Sequence, residues 1–317
     1  MKKGPLRSRN INSFGVDPVR WAQPGGVQSL VAMLRFTLSK LAVTLVTVLV
    51  TAWLAFALLS PAGNFFGWLG HMLIGDFGMS ASAGGPAGSL IAARLGVTVP
   101  LAILAMVLAA LIAVGLGVLA SRRADGLGDR AVVVFSAIVT AAPTFWLGMV
   151  LVLAFAGGLH WLPPGGFVPW QQNFGGAFVS LLLPAMALGL PAGCALAIPV
   201  RDALVAARTS DYVLAERARG VPEKDAFRRD GVPAAALAVL KPAIPRAAAI
   251  VLGTVIVENV FYLPGLGRLI LDAVTARDLT LVSGALVVLV LLVGMTAFLL
   301  QVGSAWADPR RRHETTA

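Results

Sequence analysis

The sequence is poor in the residues that mark most soluble domains and most reactive sites. Asp, Glu, Lys and Arg make up 13% of its 317 residues, whereas soluble domains carry roughly a quarter. Its one cysteine, Cys194, cannot form an intrachain disulfide and gives no indication of the redox compartment. The three histidines, His71, His160 and His313, lie in separate segments without the spacing of metal ligands. These shortages exclude a disulfide-stabilised domain, a histidine metal centre and an ordinary soluble fold.

The short motifs that most often mark catalysis are missing as well. The chain has no phosphate-binding GxxxxGK[ST] loop, no GxSxG elbow and no pair of facing carboxylates. We therefore predict that the chain is not an enzyme and binds no cofactor. Any work that it performs must then draw its energy from a partner or from an ion gradient.

What the sequence has in abundance is apolar residues, at 58% of the chain with a mean hydropathy of +0.85. A bilayer core about 30 Å thick needs roughly 20 apolar residues per helical span. Six runs approach or exceed that length, at 41–59, 97–120, 131–156, 177–200, 247–263 and 281–302. Residues 131–200 contain no Asp, Glu, Lys or Arg, which excludes the alternating pattern of a transmembrane barrel. The sequence predicts an all-α membrane protein with six spans.

The basic residues are distributed unevenly between the connecting segments. Of the 25 Lys and Arg residues, 22 lie before the first run, in the link after the second, in 201–246 and after the sixth. The opposite loops hold Arg94, Arg268 and Arg277. Since cytoplasmic loops retain basic residues, we expect a multi-pass membrane protein with both termini in the cytoplasm. This retention accounts for the net charge of +10 without a nucleic-acid partner.

One cytoplasmic segment, "SDYVLAERARGVPEKDAFRRD" at 210–230, carries ten of the forty charged residues. It predicts a helix over 203–218, a left-handed stop at Gly220 and a second short helix that begins with Pro222. Acidic residues would fall in the first turn of that helix, and Arg228 and Arg229 in its last turn. Two interpretations are open: a solvated linker, or a docking surface in which apolar side chains alternate with charges. The apolar side chains in question are Tyr212, Val213, Leu214 and Phe227.

From Met33 to about Arg312 the chain resembles the inner-membrane permease subunits of the dipeptide, oligopeptide and nickel class of ABC importers. The resemblance lies in the order and spacing of "MLRFTLSKLAVTLV" in the first span, "GDFGMS" at 75–80, "PTFWLGMVLVL" at 143–153, "DYVLAERARG" at 211–220, "VIVENVFYLPGLGRLILDAVTARDLTLV" at 255–282 and "DPRRR" at 308–312. It implies a six-span type I importer fold in the plasma membrane of a prokaryote and alternating access between two permease subunits, with a heterodimer expected. Two cytoplasmic ATPases and an external solute-binding protein are the other partners that it implies, and peptides or a related small solute would be the cargo.

In that family, the segment before the fifth span docks into a cleft of the ATPase. The resemblance assigns ATPase coupling to Asp211, Tyr212, Ala215, Glu216, Arg217, Arg219, Gly220, Glu223 and Phe227. Three features depart from the family: Glu216 replaces a small residue, Ala238 replaces a proline, and the external loop after the first span is short. We expect a different kink on entry to the fifth span and altered contacts with the binding protein. The alternatives are a secondary transporter driven by an ion gradient and a membrane anchoring protein.

Glu258 is the only acidic residue within the six apolar runs, five residues before the end of the fifth run at Leu263. Such a carboxylate faces a bundle interior or a cavity, so we predict a gate or pathway site there with Asn259, Pro264, Gly265 and Gly267. The alternative is a structural hydrogen bond that holds the span against the turn at 264–267. A short amphipathic helix should follow, with Leu269, Leu271 and Val274 toward apolar surroundings. The prolines within spans, Pro143, Pro184 and Pro191, predict kinks or, alternatively, a gating hinge.

The domain boundaries follow from these assignments. We expect residues 1–32 to form a disordered or dispensable cytoplasmic tail, because they have no apolar periodicity, and not a signal peptide. Residues 33–312 form the permease domain, with the coupling loop at 201–246. Residues 313–317 form a cytoplasmic C-terminal tail.

Overall fold

The computed structural model of the chain describes residues 26–59 and 64–307, with side-chain surroundings left undefined at 26–30, 32, 33, 212 and 230. The α-helices of this part are, in chain order, α1 (Gly26–Leu59), α2 (Phe65–Leu73), α3 (Ala87–Ser121), α4 (Leu127–Ala141), α5 (Thr144–Leu151), α6 (Phe174–Arg208), α7 (Asp211–Ala218), α8 (Glu223–Ala226), α9 (Val232–Val260), α10 (Leu266–Thr275) and α11 (Leu279–Ala307). Two π-helical turns, Val152–Gly158 and Phe227–Gly231, follow α5 and α8. The predicted tails at 1–32 and 313–317 lie outside the described residues, except that α1 begins at Gly26.

The membrane-spanning helices confirm the predicted all-α fold. Helices α1, α3, α6, α9 and α11 each contain a stretch long and apolar enough to cross a bilayer, and α4 with α5 forms a sixth, bent candidate. Helices α7 and α8 lie at one end of α9, which we call the hairpin end of the bundle. Helix α10 lies at its other end, which we call the α10 end.

The third predicted span, 131–156, is not one straight helix. Helix α4 and the helix that begins at Thr144 meet at an angle of 106°. Ala142 between them is extended at φ −74° and ψ 135°, the conformation that a following proline imposes on its neighbour. Pro143 is therefore a break in the span and not only a kink, whereas Pro184 and Pro191 lie inside the continuous α6.

The predicted bounds of the fourth and fifth spans were too short at the hairpin end. Helix α6 extends beyond 177–200 to Arg208, and α9 begins at Val232 and not at 247. The predicted helix 203–218 is instead interrupted at Thr209 and Ser210, whose hydroxyls donate to the Ala206 and Ala207 carbonyl oxygens and so compete with the helical hydrogen bonds. The two prolines within α9 do not interrupt it.

Small residues bring α3 and α6 together at the centre of the bundle. A Cβ added at Gly189 or at Gly193 would lie 2.8 Å from the carbonyl oxygen of Ala105 or Ala109, respectively. Neither position tolerates a side chain, so the two backbones are in direct contact, as is common between membrane helices. This close pair forms the frame against which α9 packs.

Candidate functional site

The hairpin of α7 and α8 turns at Gly220, where the sequence predicted a left-handed residue. Its φ is +88°, which confirms that prediction. The Gly220 N–H donates to the Arg217 carbonyl oxygen at 3.0 Å, and the Val221 N–H donates to that of Glu216 at 3.1 Å. These two bonds form a Schellman motif that closes the end of α7. The second helix begins one residue later than predicted, since Pro222 precedes α8 as its N-cap residue.

The hairpin packs against the spans where Phe227 follows α8. Val213 and Ala226 are fully buried, and the Phe227 ring packs against the cluster that α6 and α9 form at this end. The Arg208 guanidinium lies over the Phe227 ring at 5.4 Å from its centroid. The hairpin is therefore in direct contact with the ends of α6 and α9.

The outer surface of the hairpin carries charges of both signs. Asp211, Ala215, Arg217, Arg219 and Glu223 are exposed. Arg217 Nη1 lies 3.5 Å from Glu223 Oε2, which links the two helices across the turn. The predicted coupling residues are exposed, except for the partly buried Glu216 and Phe227, and for Tyr212, whose side chain lies outside the described part.

Glu216, the acidic residue at a position where the family has a small one, is accommodated by an ion pair. Its Oε1 accepts a 2.9 Å hydrogen bond from Arg219 Nη1, and the Glu216 side chain is only 20% exposed. The carboxylate therefore lies along the hairpin and does not project from it.

At the α10 end, the Glu258 carboxylate is fully buried and accepts three hydrogen bonds. Thr98 Oγ1 donates to Oε1 at 2.7 Å, and the backbone N–H groups of Gly267 and Arg268 donate to Oε2 at 2.7 and 3.3 Å. Thr98 Oγ1 in turn accepts a bond from the Leu266 N–H at 2.8 Å. Glu258 thus caps the N-terminus of α10 and joins it to α9 and α3.

Glu258 lies nearer the end of its helix than its place five residues before Leu263 indicates, because α9 ends at Val260 and not at Leu263. The Leu263 N–H closes a turn onto the Glu258 carbonyl oxygen at 2.8 Å, so Glu258 lies in the last turn of the helix. This arrangement matches the structural alternative, a carboxylate that holds the span against the following turn.

The two glycines of the predicted gate are required by this cap. A Cβ at Gly265 would overlap the Glu258 carboxylate, and one at Gly267 would overlap the Val255 backbone. Pro264 lies in the turn between α9 and α10. Asn259 points elsewhere, because its Nδ2 donates to the Val255 carbonyl oxygen at 2.6 Å and the residue lines a cleft described below.

Helix α10 is amphipathic, but the predicted apolar face was only partly right. Leu269 is buried, whereas Leu271 is 44% exposed and Val274 is 53% exposed. The buried face is instead formed by Leu266, Leu269, Ile270 and Ala273. The cap at Glu258 fixes the rotation of α10, and nothing in the local sequence indicates that partner.

Sequence reasoning missed a second buried acid, Asp278, at the start of α11. It is 2% exposed and accepts bonds from Ser80 Oγ at 2.6 Å and from Ser82 Oγ at 2.9 Å. Its Oδ1 also accepts the Leu281 N–H at 3.1 Å, so Asp278 caps α11 and ties it to the "GDFGMS" loop. Burial alone would raise the pKa of Asp278, but the hydrogen bonds from Ser80, Ser82 and Leu281 lower it to about 2. An Asp directly before an apolar helix is the signal that would have revealed this cap.

A third acid, Asp129, was missed near the hairpin end. It is 4% exposed and pairs with Arg201, whose Nε donates to Oδ1 at 3.0 Å and whose Nη2 donates to Oδ2. The pair joins the start of α4 to α6. Within the described residues, no group of three or more His, Cys, Asp or Glu is arranged to hold a metal ion.

An open cleft of about 760 Å³ lies where α5 and its π-helical turn meet the end of α9. It is lined by Met149, Val152, Leu153, Pro164, Gly165, Gly166, Asn259, Val260 and Tyr262. The Gly166 N–H donates to the Phe261 carbonyl oxygen at 2.8 Å, so the loop before α6 is fastened to the turn that follows α9.

This arrangement of spans and hairpin has known relatives. A family described as "Binding-protein-dependent transport system inner membrane component" matches residues 113–313. A probable peptide ABC transporter permease protein, y4tP of Sinorhizobium fredii, is 32% identical over 79% of this chain and 80% of its own length. The oligopeptide transport system permease protein AppB of Bacillus subtilis is 31% identical over 78% of this chain and 79% of its own length. OppB of Salmonella typhimurium, with the same description, is 30% identical over 79% of this chain and 80% of its own length.

These similarities do not support the alternative of a secondary transporter, and the family is one of transport permeases and not a known class of enzymes. The family match covers α6, the hairpin, α9 and the α10 end. The chain therefore belongs to the family of binding-protein-dependent transport system inner membrane components and is a multi-pass permease subunit of an ABC importer.

Proposed function

We propose that this permease forms half of a translocation path for peptides or related small solutes and receives the force of ATP hydrolysis through the α7–α8 hairpin. A second permease subunit, different in sequence, forms the other half. Two cytoplasmic ATPases drive the cycle and an external solute-binding protein delivers the solute. The chain has no enzymatic activity of its own. The peptide class is supported by the printed names of the relatives, which are peptide and oligopeptide permeases.

The packing of the hairpin is the observation that carries the coupling role. Val213 and Ala226 are buried, and Phe227 packs against the cluster that α6 and α9 form. Its outer side presents the exposed, charged coupling residues to the surroundings. A hairpin that packs against α6 and α9 on one side and is exposed on the other is suited to transfer a displacement caused by a partner to both spans. A solvated linker would not need the buried side.

The same proposal orients the protein in the membrane. The hairpin end holds most of the basic residues of the connecting segments, so it lies in the cytoplasm, together with both termini. The α10 end, with Arg268 and Arg277, is then external. Reporter fusions that are active only in the cytoplasm should be active at 220 and inactive at 276, and the reverse result would contradict this orientation.

Gly220 offers the sharpest test of the coupling role. At φ +88° a β-branched residue is strained by roughly 1 to 2 kcal/mol. A Cβ there meets no atom within 4 Å, so the effect of Gly220→Val comes from the backbone and not from a clash. We expect it to uncouple ATP hydrolysis from uptake in the reconstituted complex while assembly stays unchanged.

Gly220→Asn is the matched control, because asparagine tolerates the left-handed conformation while adding a side chain of similar size. It should retain both uptake and substrate-stimulated ATP hydrolysis. Normal coupling in Gly220→Val would show that the hairpin is only a linker.

A further inference from the structure

The cleft at the α10 end has an apolar floor and two polar groups at its mouth. Met149, Val152 and Leu153 come from α5 and its π-helical turn, and Val260 comes from the end of α9. Met149 is 56% exposed and Leu153 is 74% exposed, so these side chains are not covered by the rest of the chain. The polar groups are Asn259 and Tyr262.

The side-chain oxygen of Asn259 can accept a hydrogen bond from a ligand. Its Nδ2 donates to the Val255 carbonyl oxygen of its own helix, so the Oδ1 atom is the part of the amide that serves another donor. Asn259 lies in the lining of the cleft, and a polar lining group is satisfied by a ligand that hydrogen-bonds to it. A cleft that carries Asn259 is therefore better suited to a polar solute than to an acyl chain.

Tyr262 is held in a strained conformation beside the cleft. Its φ of +55° is unusual for a bulky aromatic residue. Bonds on both sides enforce it, from the Leu263 N–H to Glu258 and from the Gly166 N–H to Phe261. The Tyr262 side chain is nevertheless 69% exposed. Strain of this kind, held in place by neighbours while the side chain stays open, is typical of ligand-contacting positions.

A cation lies beside the cleft, over the ring of Tyr262. The Arg268 guanidinium is 5.2 Å from the centroid of the Tyr262 ring, and its Nε lies 3.9 Å from Asp272, beyond normal hydrogen-bonding distance. The ring thus orients the guanidinium while leaving its donors for another group. Arg268 is one of three arginines in the loops proposed as external.

We propose that this cleft is a subsite for a peptide with a free C-terminal carboxylate. Arg268 binds the carboxylate from its position on Tyr262, the Oδ1 of Asn259 accepts a peptide N–H, and an apolar side chain occupies the floor beside Met149 and Leu153. Guanidinium and carboxylate form the charge-assisted pairs that dominate recognition of such termini. The inference rests on the proposed peptide transport and adds the chemical feature of the solute that the permease selects.

The test uses the complete complex, with ATPases and binding protein, in proteoliposomes. Uptake of labelled trileucine is compared with that of its C-terminal amide, each at a concentration that saturates the binding protein. Arg268→Gln should lower uptake of trileucine about ten-fold, the loss expected for one charge-assisted hydrogen bond, and should leave uptake of the amide unchanged. Arg268→Lys should retain most of the uptake of trileucine, because the charge is kept.

Arg277→Gln is the matched control, since Arg277 is exposed at the same end of the bundle, whereas Arg268 lies over Tyr262, a residue that lines the cleft. It should behave like the wild type with both peptides. Equal uptake of trileucine by wild type and Arg268→Gln, or an equal loss for both peptides, would overturn the subsite. Failure of the wild-type complex to import either peptide would instead overturn the proposed peptide function, and the subsite with it.

Discussion

The capping of α10 by Glu258 can be tested by two substitutions, one that removes the hydrogen-bond acceptor and one that keeps a neutral acceptor. Glu258→Ala removes the acceptor of three hydrogen bonds at a fully buried position. Thr98 has a substitute, because its hydroxyl also lies 3.3 Å from the Arg94 carbonyl oxygen. The N–H groups of Gly267 and Arg268 are at the first turn of α10 and have no carbonyl oxygen of their own helix to bond.

The expected loss of stability comes from the N–H groups of Gly267 and Arg268. An unsatisfied buried donor costs about 1 to 3 kcal/mol, so Glu258→Ala should destabilise the α10 end by roughly 2 to 6 kcal/mol. Glu258→Gln keeps an oxygen for the Gly267 N–H, and its Nε2 can donate to Thr98 Oγ1. Its cost should be about 1 kcal/mol, because a charged acceptor is replaced by a neutral one.

The assay combines hydrogen exchange at the α10 amides with uptake by the reconstituted complex. In Glu258→Ala, the amides of Gly267 and Arg268 should lose protection and uptake should fall strongly, although the complex still assembles. Glu258→Gln should retain both protection and transport. Wild-type uptake and protection in the alanine variant would refute the reasoning. Loss of transport in Glu258→Gln with protection intact would show that the negative charge itself is needed in the pathway.

Two further predictions concern the acids that the sequence did not reveal. Because the folded-state pKa of Asp278 is lowered to about 2, its stabilising contribution is fully present above the ordinary value of 3.8 and is lost as the pH falls through about 2. Thermal unfolding of the wild type and of Asp278→Asn should therefore converge over that range, and a constant difference down to pH 2 would contradict the assignment. For the Asp129–Arg201 pair, Arg201→Ala alone should destabilise the protein, since it leaves the Asp129 carboxylate with only the hydrogen bond from the Asp125 N–H. The double variant with Asp129→Ala should be less destabilised than Arg201→Ala alone, and strict additivity in the double-mutant cycle would refute the coupling.

The number and kind of spans could be predicted because their signal is local. Charge-free runs of sufficient length need no knowledge of neighbours, and the left-handed turn at Gly220 follows from the chemistry of one residue. The position of the bend at Pro143 could be predicted, but its angle could not. Pro143, Pro184 and Pro191 look alike in sequence, yet only the first breaks its helix. Whether neighbouring helices support the freed carbonyl groups is a property of the packed bundle.

The partners of the buried acids could not be predicted, because they are distant in sequence and are not cations. Glu258 and Thr98 are 160 positions apart, and Asp278 and Ser80 are 198 positions apart. A search of the sequence for residues of opposite charge identifies neither Thr98 nor Ser80 as a partner. The wrong face assigned to α10 has the same origin, since its rotation is set by contacts with α9 and α3 and not by its own periodicity.

The acidic side chains are paired with different kinds of group at the two ends of the bundle, and the distribution of basic residues explains the difference. At the hairpin end, Asp129 and Glu216 are neutralised by Arg201 and Arg219, and arginines are plentiful there. At the α10 end, proposed as external, retention of basic residues on the cytoplasmic side leaves only three arginines. Glu258 is therefore satisfied by Thr98 and the first N–H groups of α10, and Asp278 by two serines and the first turn of α11. Basic side chains are scarce at this end, and the N-termini of α10 and α11 supply partial positive charge in their place.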